Sequence, residues 1–321
     1  MKNKNRRMVL LGLVCILLIG SVGYTLWEDK RQKKEAENAA RQDDQDTYIY
    51  YEGKKYKPDP NKKAVLFMGV DKTAETELNS EAGNAGQTDS LNLLMLDTET
   101  KEAQILQISR DTMVDIDVYG SANEKIMTAQ GQIALQYAYG DGKKRSCRLT
   151  TGKVSELLYG MKIQSYVSLT LDGITAAADA IGGVKLTVPE DYTSIDPLFE
   201  EGKEIILAGE LAEKYVRSRD TETLDSNNQR MERQAQFMSA LIAQMQSNIG
   251  QEQAVSLYQT MEPYMVTNMT GEEMLELAEY HYLEKIETLP GEIIEKDGHA
   301  QYIADNEKLR GIIVKTFYKS V

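Results

Sequence analysis

The sequence is poor in the residues that build disulfide frameworks and metal clusters. Its 321 residues include 2 cysteines and 2 histidines, and Cys15 falls within an apolar N-terminal run. Cys147 is left alone in the rest of the chain, which excludes an internal disulfide there. With only His281 and His299 beside it, a structural zinc site is excluded in practice. Positive charge is also scarce: the net charge is −13, with Lys+Arg 37 against Asp+Glu 50. Residues 1–27 carry Lys2, Lys4, Arg6 and Arg7 and no acid, so everything after them is more acidic still, at −17. Such a surface lacks the basic footprint that nucleic-acid binding requires. Any anionic ligand must find a local arginine cluster or a divalent cation that reverses the field.

Charge is absent altogether from residues 8–27. Twenty uncharged, mostly apolar positions match the length that crosses a hydrocarbon core. The positive flank before them predicts a cytoplasmic N-terminus (residues 1–7) and a C-terminal domain outside the cell, at the cell membrane, single-pass. The alternative, a cleaved signal peptide, has a shorter apolar run and a cleaner small-x-small site than Ser21-Val22-Gly23-Tyr24. Residues 28–61 read as a charged juxtamembrane linker and a small hairpin turning at Glu52-Gly53. The exterior domain is 62–321.

Within that domain, strand-length apolar runs occupy 64–70, 91–96, 104–108 and 184–188. A polar loop spans 72–88, and 97–101 is a turn. Helical spacing is read over 126–139, 153–159, 173–181, 227–247, 251–261, 271–282 and 305–318, with a β-like stretch at 287–295. Strands interleaved with helices predict an α/β fold, a three-layer αβα arrangement around a central mixed β-sheet.

Polar residues stand where the apolar runs stop, which in such folds is where sites form. Asp71 ends the first run, Gln87-Thr88-Asp89 leads into the second, and Ser109-Arg110-Asp111 ends the third. Lys125, Arg217, Arg219, Arg230, Arg233 and Gln234 follow. Arg230 and Gln234, four apart, share a helix face. Arg217 and Arg219, if extended, point the same way. Carboxylates with several guanidinium groups suit a diphosphate and a hard cation.

Six ordered blocks carry a family resemblance: VLFMGVD (65–71), QTDSLNLLMLD (87–97), ISRDTMVDI (108–116), LTLDGITAAADAIGGVKLTVPED (169–191), LAGELAEKYVRSRD (207–220) and RMERQ (230–234). Together they resemble the LytR-CpsA-Psr family of cell-wall glycopolymer ligases. The resemblance implies transfer of a glycopolymer or its linkage unit, with one phosphate, from a polyprenyl-diphosphate carrier to a peptidoglycan hydroxyl. Teichoic acid and capsule are among the polymers it leaves open. By position, Asp71 and Asp89 match magnesium-associated acids; the alternative role for either is to deprotonate the acceptor hydroxyl instead. Arg110, Arg217 and Arg219 match diphosphate-clamping arginines, and Lys125, Arg230 and Gln234 match further polar groups of that site. The lipid tail would lie in an apolar groove, lined by 174–181 and 133–139. Two departures stand out. Gln87 occupies a position where an arginine is common, and Asn227-Asn228-Gln229 replaces an Asp-aromatic-Gly tripeptide. A non-catalytic lipid-binding scaffold on the same fold is the alternative function.

Overall fold

The computed structural model describes residues 48–72, 76–78, 81–120, 122–218, 226–248, 251–283, 285–296 and 298–321. The expected membrane anchor at 8–27 and the charged linker after it lie outside the described residues. Among those described, no helix is long and apolar enough to cross a membrane. The chain divides into two units, 1–57 with 320–321, and 58–319.

In the first unit, β1 (Ile49–Tyr51) and β2 (Lys54–Pro58) form an antiparallel hairpin. Its turn is Glu52-Gly53, both with positive φ, as a two-residue hairpin turn demands.

The second unit is built on a mixed sheet. Its strands include β3 (Lys62–Val70), β4 (Thr88–Asp97) and β5 (Glu102–Ile108). The chain then forms a separate antiparallel hairpin of β6 (Met113–Tyr119) and β7 (Lys125–Gln132). A 3-10 turn (Ile133–Tyr139) leads to helix α1 (Lys144–Leu157). Strand β8 (Ser165–Thr170) and helix α2 (Leu171–Ala180) follow. A small antiparallel pair, β9 (Val184–Thr187) and β10 (Glu204–Leu207), precedes helices α3 (Gly209–Arg217), α4 (Ser226–Asn248) and α5 (Gln251–Met261). The remainder comprises β11 (Met265–Thr267), helix α6 (Gly271–Glu276), β12 (His281–Tyr282), β13 (Glu287–Thr288), the hairpin β14 (Gly291–Lys296) and β15 (His299–Ala304), and helix α7 (Asn306–Phe317).

The sheet order is β11-β8-β3-β4-β5-β12, with β13 also on β5. The β3–β4 and β4–β5 pairs are antiparallel, whereas β3–β8, β5–β12 and β5–β13 are parallel. Alternation along β3 explains the layers. Ala64, Leu66, Met68 and Val70 pack with Cys147 and Val154 of α1, with Leu158 just after it, and with Leu309, Ile313 and Phe317 of α7. Val65 and Phe67 face the opposite way, toward Leu94, Ile105 and Val167 and toward Met238 and Ile242 of α4. Both faces are covered, and this is why the strands read as almost continuous apolar runs. A third cluster joins α2, α3, α4 and β9–β10 around Phe199 and Tyr215, whose rings meet edge to face at 5.0 Å.

One expectation is corrected here. Residues 126–132 are not helical: they form β7, paired with β6 in a hairpin, and only 133–139 turns as a 3-10 segment. Exposed Ile126 and Met127 supplied a helical spacing that the cross-strand partners override.

Candidate active site

The site is assembled at the end of β3, the start of β4 and the loop after β5. Val70 pairs with Thr88 and Gly69 with Ser90, so Asp89 is the extra residue of a β-bulge. A bulge bends its strand and re-aims the inserted side chain, and bulges concentrate near active sites. Across the pair, the Asp71 N–H donates to the Gln87 carbonyl at 3.0 Å, and the Gln87 N–H donates to Asp71 Oδ1 at 2.7 Å. The two acids therefore stand on neighbouring strand ends.

The loop after β5 is tightened by Thr112, whose N–H and hydroxyl both donate to the Ser109 carbonyl, at 3.1 and 2.7 Å. This fixes Arg110 beside the acids. Its guanidinium pairs with Asp89 Oδ1, donates to Gln87 Oε1 at 2.6 Å, and lies 3.8 Å from Asp111 Oδ1. Arg230, on the second turn of α4, approaches from the other side. It is 3% exposed, sits 3.9 Å from Asp89 Oδ2, and donates to Asn227 Oδ1 at 2.7 Å. Gln234, one turn on, donates to the Val216 carbonyl at 3.0 Å and ties α4 to α3.

Beside this cluster a cavity of about 250 Å³ runs between the sheet and the helices. Asp89, Ser90, Asn92, Arg217 and Gln234 are among its lining residues. Elsewhere it is almost wholly apolar, with Phe67, Ile174, Ala177, Phe237, Leu241 and Met274 in its walls. A charged cluster adjoining an apolar slot suits an amphiphile with an anionic head.

The structure brings Asp71, Gln87, Asp89, Arg110 and Arg230 together and sets Arg217 and Gln234 on the cavity wall. Arg217 is not in an extended segment: it ends α3, half-exposed, paired with Glu213 at 2.7 Å. Arg219 lies outside the described residues. Lys125 does not join the cluster. It faces Tyr119 near the turn of the β6–β7 hairpin and pairs with Asp117 at 2.7 Å. That is six residues, roughly 20 Å of strand, from the Met113 end next to Arg110. Burial pushes the Asp117 carboxyl up, but Lys125 and Lys153 outweigh it and hold its pKa below the ordinary value. Of the two apolar stretches expected beside a lipid, Ile174 and Ala177 line the cavity. Ile133 and Tyr137 pack instead in the core on the opposite sheet face.

Three residues carry more of the site than their sequence context announced. Asn227 is buried and links Arg230 to Ser109. Ser90 and Asn92 form a polar floor in the cavity, hydrogen-bonded to each other at 2.8 Å. The alternation of β4 would have placed both on one face.

The donor chemistry suits a hard cation. Asp71 and Asp89 each have one carboxylate oxygen for which no hydrogen bond occurs among the described residues. No cluster of three His, Cys, Asp or Glu occurs among those residues. A cation here would complete its shell with water and ligand phosphate, as Mg²⁺ characteristically does.

Comparison with known proteins agrees with this architecture. The TagV polyisoprenyl-teichoic acid–peptidoglycan teichoic acid transferase of Bacillus subtilis is 28% identical over 251 residues, 75% of this chain and 58% of its own length. The TagU enzyme of the same description from Halalkalibacterium halodurans is 30% identical over 181 residues, 56% of this chain and 52% of its own. The chain thus spans little more than half the length of these two relatives. The crystal structure of Bacillus subtilis TagV superposes with a TM-score of 0.62 at 25% identity, covering 80% of this chain and 98% of the TagV chain. The model of the LytR_cpsA_psr family matches residues 23–316. The chain belongs to the LytR-CpsA-Psr family.

Proposed function

We propose that this protein transfers a glycopolymer, or its linkage unit, with one phosphate from a polyprenyl-diphosphate carrier to a hydroxyl of peptidoglycan. One observation carries the reading: an apolar cavity adjoins a cluster in which two arginines converge on a bulged aspartate. The isoprenoid tail occupies the cavity against Ile174, Ala177 and Leu241, and the diphosphate lies at Arg110 and Arg217. Arg219 follows Arg217 in sequence and is assigned to the same headgroup. The names of the relatives, teichoic acid transferases acting on peptidoglycan, support the substrate class.

In the reaction the acceptor hydroxyl oxygen attacks the phosphorus that bears the glycan. The bond from that phosphorus to the bridging oxygen breaks, and polyprenyl monophosphate leaves. The hydroxyl proton passes to a carboxylate of the Asp71–Asp89 pair. Arginines neutralise charge on the diphosphate, which is where most catalysis of phosphoryl transfer resides. A Mg²⁺ ion held by Asp71 and Asp89 would supply further neutralisation. The uncharged run at 8–27, preceded by Lys2, Lys4, Arg6 and Arg7, supports a location outside the cell membrane, where both carrier and peptidoglycan are met.

Incubating the purified protein with a synthetic polyprenyl-diphosphate glycan, Mg²⁺ and peptidoglycan oligomers is expected to release polyprenyl monophosphate and label the oligomers. Binding without release would replace the enzyme by a lipid-binding scaffold. Protease access in intact cells tests the exterior location.

A further inference from the structure

Five side chains form one line through the site: Gln87, Arg110, Asp89, Arg230 and Asn227. The central carboxylate takes Arg110 on one oxygen and has Arg230 3.9 Å from the other. At each outer end the guanidinium donates to a carboxamide, Arg110 to Gln87 Oε1 at 2.6 Å and Arg230 to Asn227 Oδ1 at 2.7 Å. Asn227 is itself fixed. It is 3% exposed, and its amide nitrogen donates to Ser109 Oγ at 3.2 Å, while Ser109 Oγ accepts the Asp111 N–H at 3.3 Å.

We infer that Asn227 and Gln87 are paired positioning residues: neutral carboxamides that orient Arg230 and Arg110 without cancelling or adding charge. The inference rests on the diphosphate-site reading above. A carboxylate at position 227 would accept the same hydrogen bond from Arg230. In a buried setting it would also offset that guanidinium's charge, because Coulomb interactions at such range are weakly screened. A guanidinium at position 87 would do the reverse, adding a cation beside Arg110 and competing for Asp89. The two departures noted in the sequence, Gln for Arg and Asn for Asp, therefore lie at opposite ends of one network. A cation at position 87 and an anion at position 227 would offset each other, so exchanging both together leaves the balance of charge at the headgroup unchanged. They act as a coupled pair and not as two separate losses.

The test measures binding of farnesyl diphosphate to the purified full chain in detergent micelles by titration calorimetry. Asn227→Asp alone is expected to weaken binding by about tenfold or more. The double variant Asn227→Asp with Gln87→Arg restores the net charge but removes the acceptor for Arg110, and is expected to bind about threefold or more tighter than Asn227→Asp alone while staying below the parent. A purely structural role predicts otherwise: Asn227→Ala and Asn227→Asp would be equally impaired, and the double variant would show the simple product of its single effects. That result overturns the inference, as does full affinity in Asn227→Asp. If Asn227→Asp does not fold, Gln87→Glu makes the same test at the more accessible end, with the same expected loss. Full affinity there overturns the pairing. A parent protein that fails to bind farnesyl diphosphate at all would sink the diphosphate reading itself, and the inference with it. An affected variant of a binding parent separates the two.

Discussion

Gly86 and Asp71 are packed so closely that a Cβ on Gly86 would sit 2.8 Å from Asp71 Oδ1. The same carbon would lie 2.9 Å from Lys72 Cε, and Gly86 has φ +97°, which favours glycine. Gly86 thereby lets the loop before β4 close on the end of β3, so that the Gln87 N–H reaches the carboxylate. Gly86→Ala is expected to cost about 1 kcal/mol of stability from backbone strain. It should cost far more in turnover, because it prises Gln87 and Asp71 apart. Melting temperature and polyprenyl phosphate release, measured on one preparation, check this. Unaltered release would remove Asp71 from the site.

Arg110 touches three partners at once, Gln87, Asp89 and Asp111, a geometry that a planar fork satisfies and an ammonium does not. Arg110→Ala is expected to lower kcat by about 100-fold, comparable to the loss of a preorganised donor at a developing charge. Arg110→Lys keeps the charge but loses the fork, and is expected to fall between the two. Steady-state kinetics on the folded variants decides it. A lysine variant with parental kcat would show that charge alone matters.

The elements that build this site were readable to different depths. Strands β3, β4 and β5 announced themselves because both sheet faces are covered, leaving apolar runs bounded by polar residues. Asp71, Asp89 and Arg110 stood at those boundaries, so position along the chain alone nominated them. Helix α4 was readable from its spacing, and with it the shared face of Arg230 and Gln234. The β6–β7 hairpin was not. Its second strand carries apolar residues at Ile126, Met127 and Ala129, which together with Ile133 and Ala134 just after it make a helix-like series, and only pairing with β6 decides otherwise. Nothing local marks Asp89 as a bulge, since register is a property of two strands. Lys125 was nominated by the family resemblance and not by its own context, and the hairpin carries it away.

The cavity gives a separate prediction about chain length. Ala177 is buried on α2 and lines the cavity, as do Ile174 and Leu241. Ala177→Phe puts a ring where the tail is assigned, at an overpacking cost of about 1–3 kcal/mol. Affinity for a long-chain polyprenyl diphosphate should fall while inorganic pyrophosphate still binds. Leu241→Phe, at a half-buried position, supplies a milder form of the same block. Equal loss for both ligands would mean that the variants disturb the headgroup site and that the cavity holds no tail.

Asp97 makes stability sensitive to acid. Burial raises its pKa, but the Lys62 ammonium and the N–H groups of Thr100 and Glu99 outweigh this and leave it at about 2. The carboxyl is depressed below its unfolded value of 3.8, so its contribution is complete above that pH and is lost as pH falls toward 2. The expected size is about 1 kcal/mol, as for partly exposed pairs. Urea unfolding at pH 6 and pH 3 should show a smaller difference in Asp97→Asn than in the parent. Identical pH dependence in both would assign the acid sensitivity elsewhere.

Arg233 and Arg217 separate stability from chemistry. Arg233 is 1% exposed, and burial lowers its pKa. Its guanidinium donates to the Tyr215 carbonyl at 2.9 Å and to the Ser218 carbonyl, and lies 5.0 Å over the Tyr192 ring. It therefore fastens the end of α3 to α4. Arg233→Met leaves those carbonyls unpaired in the interior and is expected to cost about 2–3 kcal/mol. Arg217 is half-exposed and holds a single helical ion pair, so Arg217→Ala should change stability by no more than about 0.5 kcal/mol. In kinetics the order reverses: the parental fold of Arg217→Ala is expected to bind diphosphate poorly, because the lost group lines the cavity beside Asp89. Urea midpoints with unchanged slopes, set beside farnesyl diphosphate titrations, resolve the two roles. If Arg233→Met proved as stable as the parent, the fastening of α3 to α4 would rest on Gln234 and the apolar core, and Arg233 would have to be reconsidered as a ligand-facing group.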